Sequence, residues 1–411
     1  MDEQGLKKNG VENRMLKKLE IDNFKSLVDF HMDLEPVTVV IGNNATGKSA
    51  ILQAIDFLCS SVREDFPIII ERRNWSVENI KSKLASPGNN RINFQCEFVF
   101  KSEKGQDVHI AWNVTVLTNI SKNQLHLGNE FVYDLDTREE YLHYVSGKGG
   151  FIKGGKNQPD ILLPSSIELQ SSVLKILSNM MSVAEPIRLL KRFLINSTSF
   201  ELLSPSEMRL SSRGEANDIG MSGKNLPSFI KMMSQEQKKR FMEKLGFVLG
   251  DKIETIDAAT KGKPGWTQIN VQEKYQNKTI TVNSKEMSDG ILRVLAFIAI
   301  SEIKKSDAVL LLDEIENGIN TNYAENLLKV LNDIYQESGH QLILTTHSTV
   351  FLDYVDKDGI VYLYRNEQGE TKAAKLFENK TLREQLDYMW PGEVILNMST
   401  KEIVEKILGD E

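Results

Sequence analysis

The sequence predicts an α/β fold that combines a mixed sheet, an antiparallel β lobe and a helical insertion. Two apolar stretches, 37–41 and 309–312, have the composition of strands buried on both faces, and each runs directly into a polar loop. Alternating and then helical patterns fill the long region between them. The chain has 411 residues, of which 40% are hydrophobic, so we expect two domains or one large domain with an insertion.

Bulk composition narrows the classes of function. The formal net charge is −7 and the pI is about 5.6, so contact with nucleic acid would need a local basic patch. Cys59 and Cys96 lie in apolar segments without metal-ligand spacing, which predicts core thiols in a reducing compartment. No run approaches the length of a membrane span, and the N-terminus lacks a signal-peptide core. We therefore expect a cytoplasmic protein without a membrane contact.

The loop after the first buried strand carries a complete phosphate-loop pattern, G-x-x-x-x-G-K-[ST]. Gly42 and Gly47 permit backbone angles that aim N–H groups at an anion. Lys48 can reach the β- and γ-phosphates, and the Ser49 hydroxyl can coordinate Mg²⁺. A chance match is the alternative, but a strand before the loop and helical spacing after it favour a real site. The predicted nucleotide-binding residues of the loop are Gly42, Asn43, Asn44, Ala45, Thr46, Gly47, Lys48 and Ser49.

Element patterns divide the chain into five regions. Period-two alternation predicts a hairpin within 19–34 and three antiparallel strands within 92–133, whereas the glycine-rich stretch 147–155 predicts a flexible loop. The predicted regions are a disordered extension (1–14), the N-terminal half of the phosphate-binding domain with its β lobe (15–165), a mainly helical insertion (166–265), the C-terminal half of that domain (266–365), and a C-terminal tail that contacts a partner or another subunit (366–411).

One predicted helix, near 226–249, carries a local excess of positive charge. Two interpretations stay open, a solvated helix face or a contact with the phosphate backbone of DNA. The cations are Lys224, Lys231, Lys238, Lys239, Arg240 and Lys244, and the acids between them are Glu236 and Glu243.

Three further stretches supply candidate site residues. Ser288-Asp289-Gly290 precedes an apolar helix, and a capped helix start presents free N–H groups. Asp313 follows a buried strand, where a carboxylate can bind Mg²⁺, and Glu314 can polarise an attacking water. His347 follows a strand that should lie beside the one bearing Asp313. A lone histidine is usually structural, but this position makes it a candidate sensor of a γ-phosphate.

The order of these motifs resembles that of ATP-binding-cassette (ABC) ATPases. The chain is similar to the SMC- and RecF-like branch, in the group with the ATPase halves of OLD and Gabija nucleases and the ATPase subunits of anti-phage systems such as Septu and PARIS. The segments that carry the resemblance are LEIDNFKSL (19–27), GNNATGKS (42–49), MSDGILRVL (287–295), LLLDEIENGI (310–319) and LTTHS (344–348), with a weaker one at GKNL (223–226).

The resemblance implies a P-loop NTPase fold of the ABC ATPase type, with ATP and Mg²⁺ as ligands. It assigns Asn44 to the family's loop asparagine, Ser288 and Gly290 to the signature that touches the ATP of a partner subunit, and Glu314 to the catalytic base. Lys48 and His347 complete the predicted catalytic set, Asp289 lies within the signature, and Ser49 and Asp313 are the predicted metal ligands.

The sequence also departs from the family's pattern. Ala45 stands where many relatives have glycine, Asn320 stands where a histidine is common, and no glutamine of the magnesium-linked loop is evident near Asn90 and Arg91. The residues after His347 contain no acidic cluster of the kind that a Toprim nuclease needs. We therefore expect any effector to be a separate polypeptide.

Three functions remain in consideration. The first is an ATPase that assembles as a homodimer or a larger ring and controls a separate nuclease or toxin in anti-phage defence. The second is a RecF-like DNA-repair ATPase, although the acidic charge balance argues against a broad DNA surface. The third is an ATP-binding scaffold with little turnover, against which the presence of Glu314 speaks.

Overall fold

In the computed structural model of the chain, residues 14–409 are described, apart from 179, 251, 261–264 and 305–306. The predicted disordered extension, 1–14, therefore lies almost entirely outside the described residues. The strands are β1 (Met15–Asp22), β2 (Phe30–Asp33), β3 (Val37–Gly42), β4 (Arg91–Lys101), β5 (Asp107–Asn119), β6 (Gln124–Asp134), β7 (Glu140–Val145), β8 (Gly149–Ile152), β9 (Ile161–Leu163), β10 (Thr198–Ser199), β11 (Ser212–Arg213), β12 (Ile253–Thr260), β13 (Trp266–Tyr275), β14 (Lys278–Asn283), β15 (Val309–Leu312), β16 (Gln341–Thr345), β17 (Ile360–Arg365) and β18 (Thr371–Lys375).

The helices follow the predicted apolar spacing. They are α1 (Lys48–Ser61), α2 (Phe66–Arg72), α3 (Val77–Ile80), α4 (Val173–Ile176), α5 (Glu185–Asn196), α6 (Pro205–Met208), α7 (Leu226–Met232), α8 (Gln235–Leu249), α9 (Asp289–Ser301), α10 (Ala324–Ser338), α11 (Lys380–Gln385), α12 (Pro391–Leu396) and α13 (Thr400–Gly409). Short 3₁₀ helices occur as well, including one at Thr349–Tyr354 that bears on the site. No helix of the described residues has both the length and the apolar character to cross a bilayer.

A six-stranded mixed sheet holds the motif-bearing strands. Its order is β10-β15-β16-β3-β17-β18, and all pairs are parallel except β17 with β18. In β15, Val309 and Leu311 join one apolar cluster, and Leu310 and Leu312 join another. Successive side chains point to opposite faces of a strand, so this all-apolar strand is buried on both sides of the sheet.

The β lobe is an eight-stranded antiparallel sheet in the order β2-β1-β4-β5-β6-β7-β8-β9. The predicted hairpin and the three predicted antiparallel strands are confirmed. The predicted glycine loop at 147–155 is wrong, because Gly149–Ile152 form β8 between β7 and β9. A Cβ on Gly150 would lie 1.7 Å from the carbonyl oxygen of His143. Glycine is needed there because the two strands approach each other closely. The strand was not predicted because glycine adds no side chain to an alternating pattern.

The region 166–265 contains helices α4 to α8, but it also supplies β10 to the central sheet and β11 and β12 to a small sheet with β13 and β14. The division of the chain into domains stays a prediction. Both cysteines are buried, and burial raises the pKa of Cys59 to about 12. This burial agrees with the predicted core thiols.

The single helix predicted near 226–249 is wrong, because Ser234 caps a new helix start and divides the segment into α7 and α8. Helix α8 uses part of its charge internally. Arg240 and Lys244 form ion pairs with the buried Glu302 of the segment after α9, at 2.8 and 2.9 Å. Lys239 lies near Glu243 one turn away. The exposed Lys239–Glu243 pair fits the predicted solvated helix face, whereas Arg240 and Lys244 are paired with a buried carboxylate, and a DNA contact stays a prediction.

Candidate nucleotide-binding site

The site lies at the carboxyl edge of the six-stranded sheet. Strand β3 pairs in parallel with β16, and β16 pairs in parallel with β15. The loops that follow these three strands therefore emerge side by side. They contain the phosphate loop from Gly42, the Asp313–Glu314 pair, and the Thr346–Ser348 turn. The structure thus brings together three of the four stretches that the sequence singled out.

The phosphate loop has the backbone that its glycines predict. Gly42 has φ 147° and Gly47 has φ 109°, in the region that favours glycine. A Cβ on Gly42 would lie 2.4 Å from the carbonyl oxygen of Leu363, and one on Gly47 would lie 2.6 Å from Oγ1 of Thr371. Ala45 also has a positive φ, 63°. The alanine that departs from the family pattern thus occupies a left-handed position where glycine would be unstrained.

The Lys48 side chain folds back over its own phosphate loop. Its Nζ donates to the carbonyl oxygens of Gly42 at 2.8 Å and of Asn43 at 2.9 Å. Burial lowers the pKa of Lys48, and the nearby carboxylates of Asp313 and Glu314 oppose that shift. A buried, poorly hydrated cation beside a ring of loop N–H groups suits a phosphate anion, which could replace the two carbonyl acceptors.

The two acidic residues after β15 are held by one hydroxyl. Thr345 Oγ1 donates to Asp313 and accepts from the backbone N–H of Glu314, the latter at 2.9 Å. Glu314 has φ 46°, an unusual conformation for a residue with a side chain, and its carboxylate is exposed. Such strain is often maintained at functional positions. The exposed Glu314 carboxylate accepts from Asn317 Nδ2 at 3.2 Å, and a water could reach it.

The residues fit a magnesium ion as well as a phosphate. Ser49 is half-buried at the second position of α1, and Asp313 directly follows β15, which β16 separates from β3 in the sheet. A hydroxyl and a carboxylate form the oxygen-only donor set of Mg²⁺, which keeps several waters and binds few protein groups. Among the described residues, no group of three or more His, Cys, Asp and Glu could hold a metal ion. Mg²⁺ bound here would neutralise phosphate charge.

Glu316 is a site residue that the sequence analysis missed. Its carboxylate accepts from Thr346 Oγ1 at 2.8 Å and from the backbone N–H of His347 at 2.5 Å. It therefore fixes the turn that carries the exposed His347 ring. The position of Glu316, two residues after Glu314 in the same loop, could have indicated a site residue. Nothing in the sequence indicated that it would bind the turn at Thr346 and His347.

The rest of the loop's support comes from the C-terminal part of the chain. Arg365 donates to the Ala45 carbonyl oxygen through Nε at 3.0 Å and through its terminal nitrogen at 2.8 Å. The Thr371 hydroxyl donates to the Thr46 carbonyl oxygen at 2.7 Å and lies 2.9 Å from the Ser26 hydroxyl. Arg365 and Thr371 lie outside the recognised motifs, whereas Ser26 belongs to the segment LEIDNFKSL (19–27).

The C-terminal tail forms a further wall. Asn43 Nδ2 donates to Thr400 Oγ1, at the start of α13, at 2.9 Å. A cavity of about 190 Å³ lies between this tail and the loop, lined by Asn43, His347, Tyr362, Met398 and Thr400 among others. Part of the predicted partner-contact tail is thus a component of this chain's own site.

The fourth predicted stretch, the signature, packs against the loop that follows β15. Ser288 caps α9, accepting from the Ile291 N–H at 3.3 Å, and Asp289 pairs with Arg209. A Cβ on Gly290 would lie 2.3 Å from the carbonyl oxygen of Gly318. Ser288 and Asp289 are exposed. The helix start therefore faces solvent, where another subunit could reach it.

The family model described as "AAA ATPase domain" matches residues 15–288, more than half of the chain. The chain belongs to the AAA ATPase domain family. A second model, described as "AAA domain, putative AbiEii toxin, Type IV TA system", matches residues 225–353 of the chain. Membership implies nucleotide binding, and the roles of individual site residues stay predictions.

Similar proteins agree with this membership. An OLD nuclease of Thermus scotoductus is 44% identical over 48 residues, which is 12% of this chain and 9% of that protein. An SMC head bound to the C-winged helix domain of ScpA aligns at a TM-score of 0.50 and 15% identity, covering 87% of this chain and 96% of that one. An SMC head with a coiled coil and joint from Pyrococcus yayanosii aligns at 0.50 and 12%, covering 91% and 99%. The predicted fold class and the resemblance to SMC- and OLD-type ATPases are confirmed.

Beside the candidate nucleotide site, the protein contains a buried ion network of Lys25, Gln53, Asp56, Arg73 and Glu201. Arg73 pairs with Asp56 at 2.6 Å and with Glu201 at 3.3 Å. Gln53 donates to Glu201 at 2.5 Å and accepts from Lys25. Burial raises the pKa of Glu201 and lowers that of Lys25 to about 8. The network joins α1, the residue after α2, the β1–β2 turn and the segment after β10.

Proposed function

We propose that this protein binds ATP with Mg²⁺, hydrolyses the ATP, and regulates a separate effector in anti-phage defence in the cytoplasm. The observation that carries the proposal is the convergence of Lys48, Asp313, Glu314 and His347 at one sheet edge. Lys48 and the loop N–H groups would hold the phosphates. Glu314 would activate water, and His347 would contact the γ-phosphate.

Assembly through shared sites follows from the exposed signature. A helix start carries partial positive charge and free N–H groups, and the exposed Ser288 caps such a start. A second copy could supply the phosphate. We propose a head-to-tail homodimer with two composite sites, or a larger ring of such pairs, that ATP stabilises and hydrolysis weakens.

The effector is proposed to be a nuclease or a toxin on a separate polypeptide. The names of the similar proteins, an OLD nuclease and an AbiEii toxin family, support those two classes of activity. The matched segment spans only 9% of the OLD nuclease, so its activity is not transferred.

The test of hydrolysis is Glu314→Gln, which keeps size and hydrogen bonding but removes the base. Turnover should fall by about 10²- to 10⁴-fold while ATP binding remains, and the ATP-bound assembly should accumulate. Phosphate release and size-exclusion chromatography measure both effects. A wild-type protein that binds ATP without turnover would instead support the scaffold function, and unchanged turnover in the variant would assign the base to another residue.

The test of shared sites mixes two inactive variants. Ser288→Arg should leave ATP binding per subunit nearly intact and abolish hydrolysis, and Lys48→Ala should lack binding. Each mixed dimer retains one site with an intact loop and an intact signature. Partial recovery of ATPase activity on mixing supports composite sites; no recovery, with mixed dimers shown by native mass spectrometry, contradicts them.

A further inference from the structure

An apolar surface lies beside the nucleotide site, on the C-terminal tail and the 3₁₀ helix Thr349–Tyr354. Tyr388 is 85% exposed, Trp390 is 63% exposed and Leu396 is 70% exposed. Val350 and Tyr354 of the 3₁₀ helix are each 41% exposed. We call these five residues the aromatic patch. Exposed aromatic side chains of this size are uncommon on monomers and are enriched in the centres of protein interfaces.

Packing holds the two parts of the patch together. Helix α12 packs on the 3₁₀ helix, and the backbone N–H of Gly392 donates to Asp353 Oδ1 at 2.7 Å. A Cβ on Gly392 would lie 2.3 Å from the carbonyl oxygen of Thr349, so the backbones are in direct contact. Val394 of α12 is fully buried. The patch is therefore presented by a fixed backbone.

The C-terminal side of the patch is acidic. Residues 384–393 contain Glu384, Asp387 and Glu393 and no lysine or arginine, and Asp353 lies against Gly392 from the other segment. On the 3₁₀ side, Tyr354 lies beside the Glu325–Lys329 ion pair, whose charges balance. An apolar centre with an acidic edge complements a surface with an apolar centre and a basic rim. A protein partner rich in Lys and Arg around an apolar patch fits this description.

The same segment reaches the nucleotide site at two points. The 3₁₀ helix begins two residues after His347, and α13 begins at Thr400, which accepts the hydrogen bond of Asn43. Ile403 of α13 is buried, which fixes that helix on the core. Nucleotide that contacts Asn43 or His347 would therefore act on the elements that present the patch.

We propose that the aromatic patch is the docking site of the effector protein, which binds through an apolar surface with a basic rim, and that the Asn43–Thr400 contact links docking to nucleotide. The identity of the partner as an effector rests on the proposed function. Linkage is reciprocal, so a nucleotide that changes effector affinity must itself bind with changed affinity when the effector is docked.

The experiment begins with a photo-crosslinking amino acid at position 390 in the full chain, expressed in the native host. A matched crosslinker replaces Leu162 of β9, which is 79% exposed and lies in the β lobe. The protein crosslinked at 390 but not at 162 is identified, purified and titrated against the wild-type chain. We expect Trp390→Ala to weaken its binding about 10- to 100-fold, and Leu162→Ala to leave binding unchanged.

Two further measurements test the role of the acidic residues and the link between docking and nucleotide. The double variant Glu384→Lys/Asp387→Lys should slow association and reduce its dependence on salt. Thr400→Val should reduce the difference in partner affinity between ATP-bound and nucleotide-free protein, whereas Thr400→Ser should retain it. Folding of each variant is checked by its melting temperature.

Several results would overturn the docking site. These are the absence of a protein specific to position 390, a crosslink only to a second copy of this chain, or a partner whose affinity Trp390→Ala does not change. The ATPase activity of Trp390→Ala alone should match wild type. If wild-type protein lacks ATPase activity, the proposed function fails, while the titration still decides whether the patch docks a protein.

Discussion

Two charged regions lie side by side near the carboxyl edge of the central sheet, and they differ in the partners and the burial of their charged side chains. In the nucleotide site, Lys48 bonds backbone carbonyls and Glu314 is exposed. In the buried ion network, Arg73 is enclosed and paired with two carboxylates. Charges held by backbone carbonyls can change partners when a ligand arrives, whereas charges paired and buried together cannot separate without a large penalty. The first region is suited to binding and the second to stability.

The largest expected effect is a loss of ATP binding at the nucleotide site. Lys48→Ala should weaken ATP binding by at least about 1,000-fold, because a charged partner of the phosphates is lost. Stability should change by less than about 1 kcal/mol, since Lys48 has no side-chain partner to leave unpaired in the contacts described. Isothermal titration and chemical denaturation measure the two quantities, with Lys329→Ala, on the exposed face of α10, as control. Wild-type ATP affinity in Lys48→Ala would refute the site.

In the buried ion network, we expect a substitution to change the free energy of unfolding strongly. Arg73→Met leaves Asp56 and Glu201 buried without their cation and should destabilise the fold by about 3–5 kcal/mol. Arg383→Met is the control, because the side chain of Arg383 is 48% exposed, against 2% for Arg73, and pairs with the exposed Asp358 away from the network. We expect the control to cost about 0–1 kcal/mol. Equal urea midpoints for the two variants would contradict the distinction.

A smaller effect is expected at the wall of the loop. Thr371→Val removes the donor to the Thr46 carbonyl oxygen and should weaken ATP binding about 3- to 10-fold, as expected for one hydrogen bond of about 1 kcal/mol. Thr371→Ser keeps the hydroxyl and should bind ATP as wild type does. Equal losses in both variants would mean that the methyl group, and not the hydrogen bond, supports the loop.

The smallest effect depends on pH. Burial lowers the pKa of Lys25 to about 8 in the folded protein, against about 10.4 in the unfolded chain. Between these values the unfolded state binds more protons, so raising the pH stabilises the folded wild type. The melting temperature of Lys25→Met minus that of wild type should therefore be largest below pH 8 and decrease towards pH 10. A difference that is constant with pH would place the Lys25 ammonium in solvent.

The difference between the nucleotide site and the ion network also explains which of their residues could be predicted from the sequence. Strands β3, β15 and β16 are short apolar runs that end in motifs, so local pattern and strand adjacency were enough to place Lys48, Asp313 and His347 together. Arg365, Thr371 and Thr400 support the loop from more than 300 residues away, and no spacing links them to it. The network was missed because Glu201 and Arg73 belong to no motif, and only the pairing of β10 with β15 brings Glu201 to the edge.

The order of the central sheet has a consequence for synthesis of the protein on the ribosome. Strand β3 pairs with β16 and β17, and the first register partner of Val37 is Leu342. At roughly 5–20 residues per second, β3 would wait about 15–60 s for that partner to be translated. The phosphate loop is thus encoded early and completed late, and a nascent chain carries an unpaired apolar strand for most of its elongation. We expect such a chain to depend on chaperones and to acquire nucleotide affinity only after its last 70 or so residues have emerged.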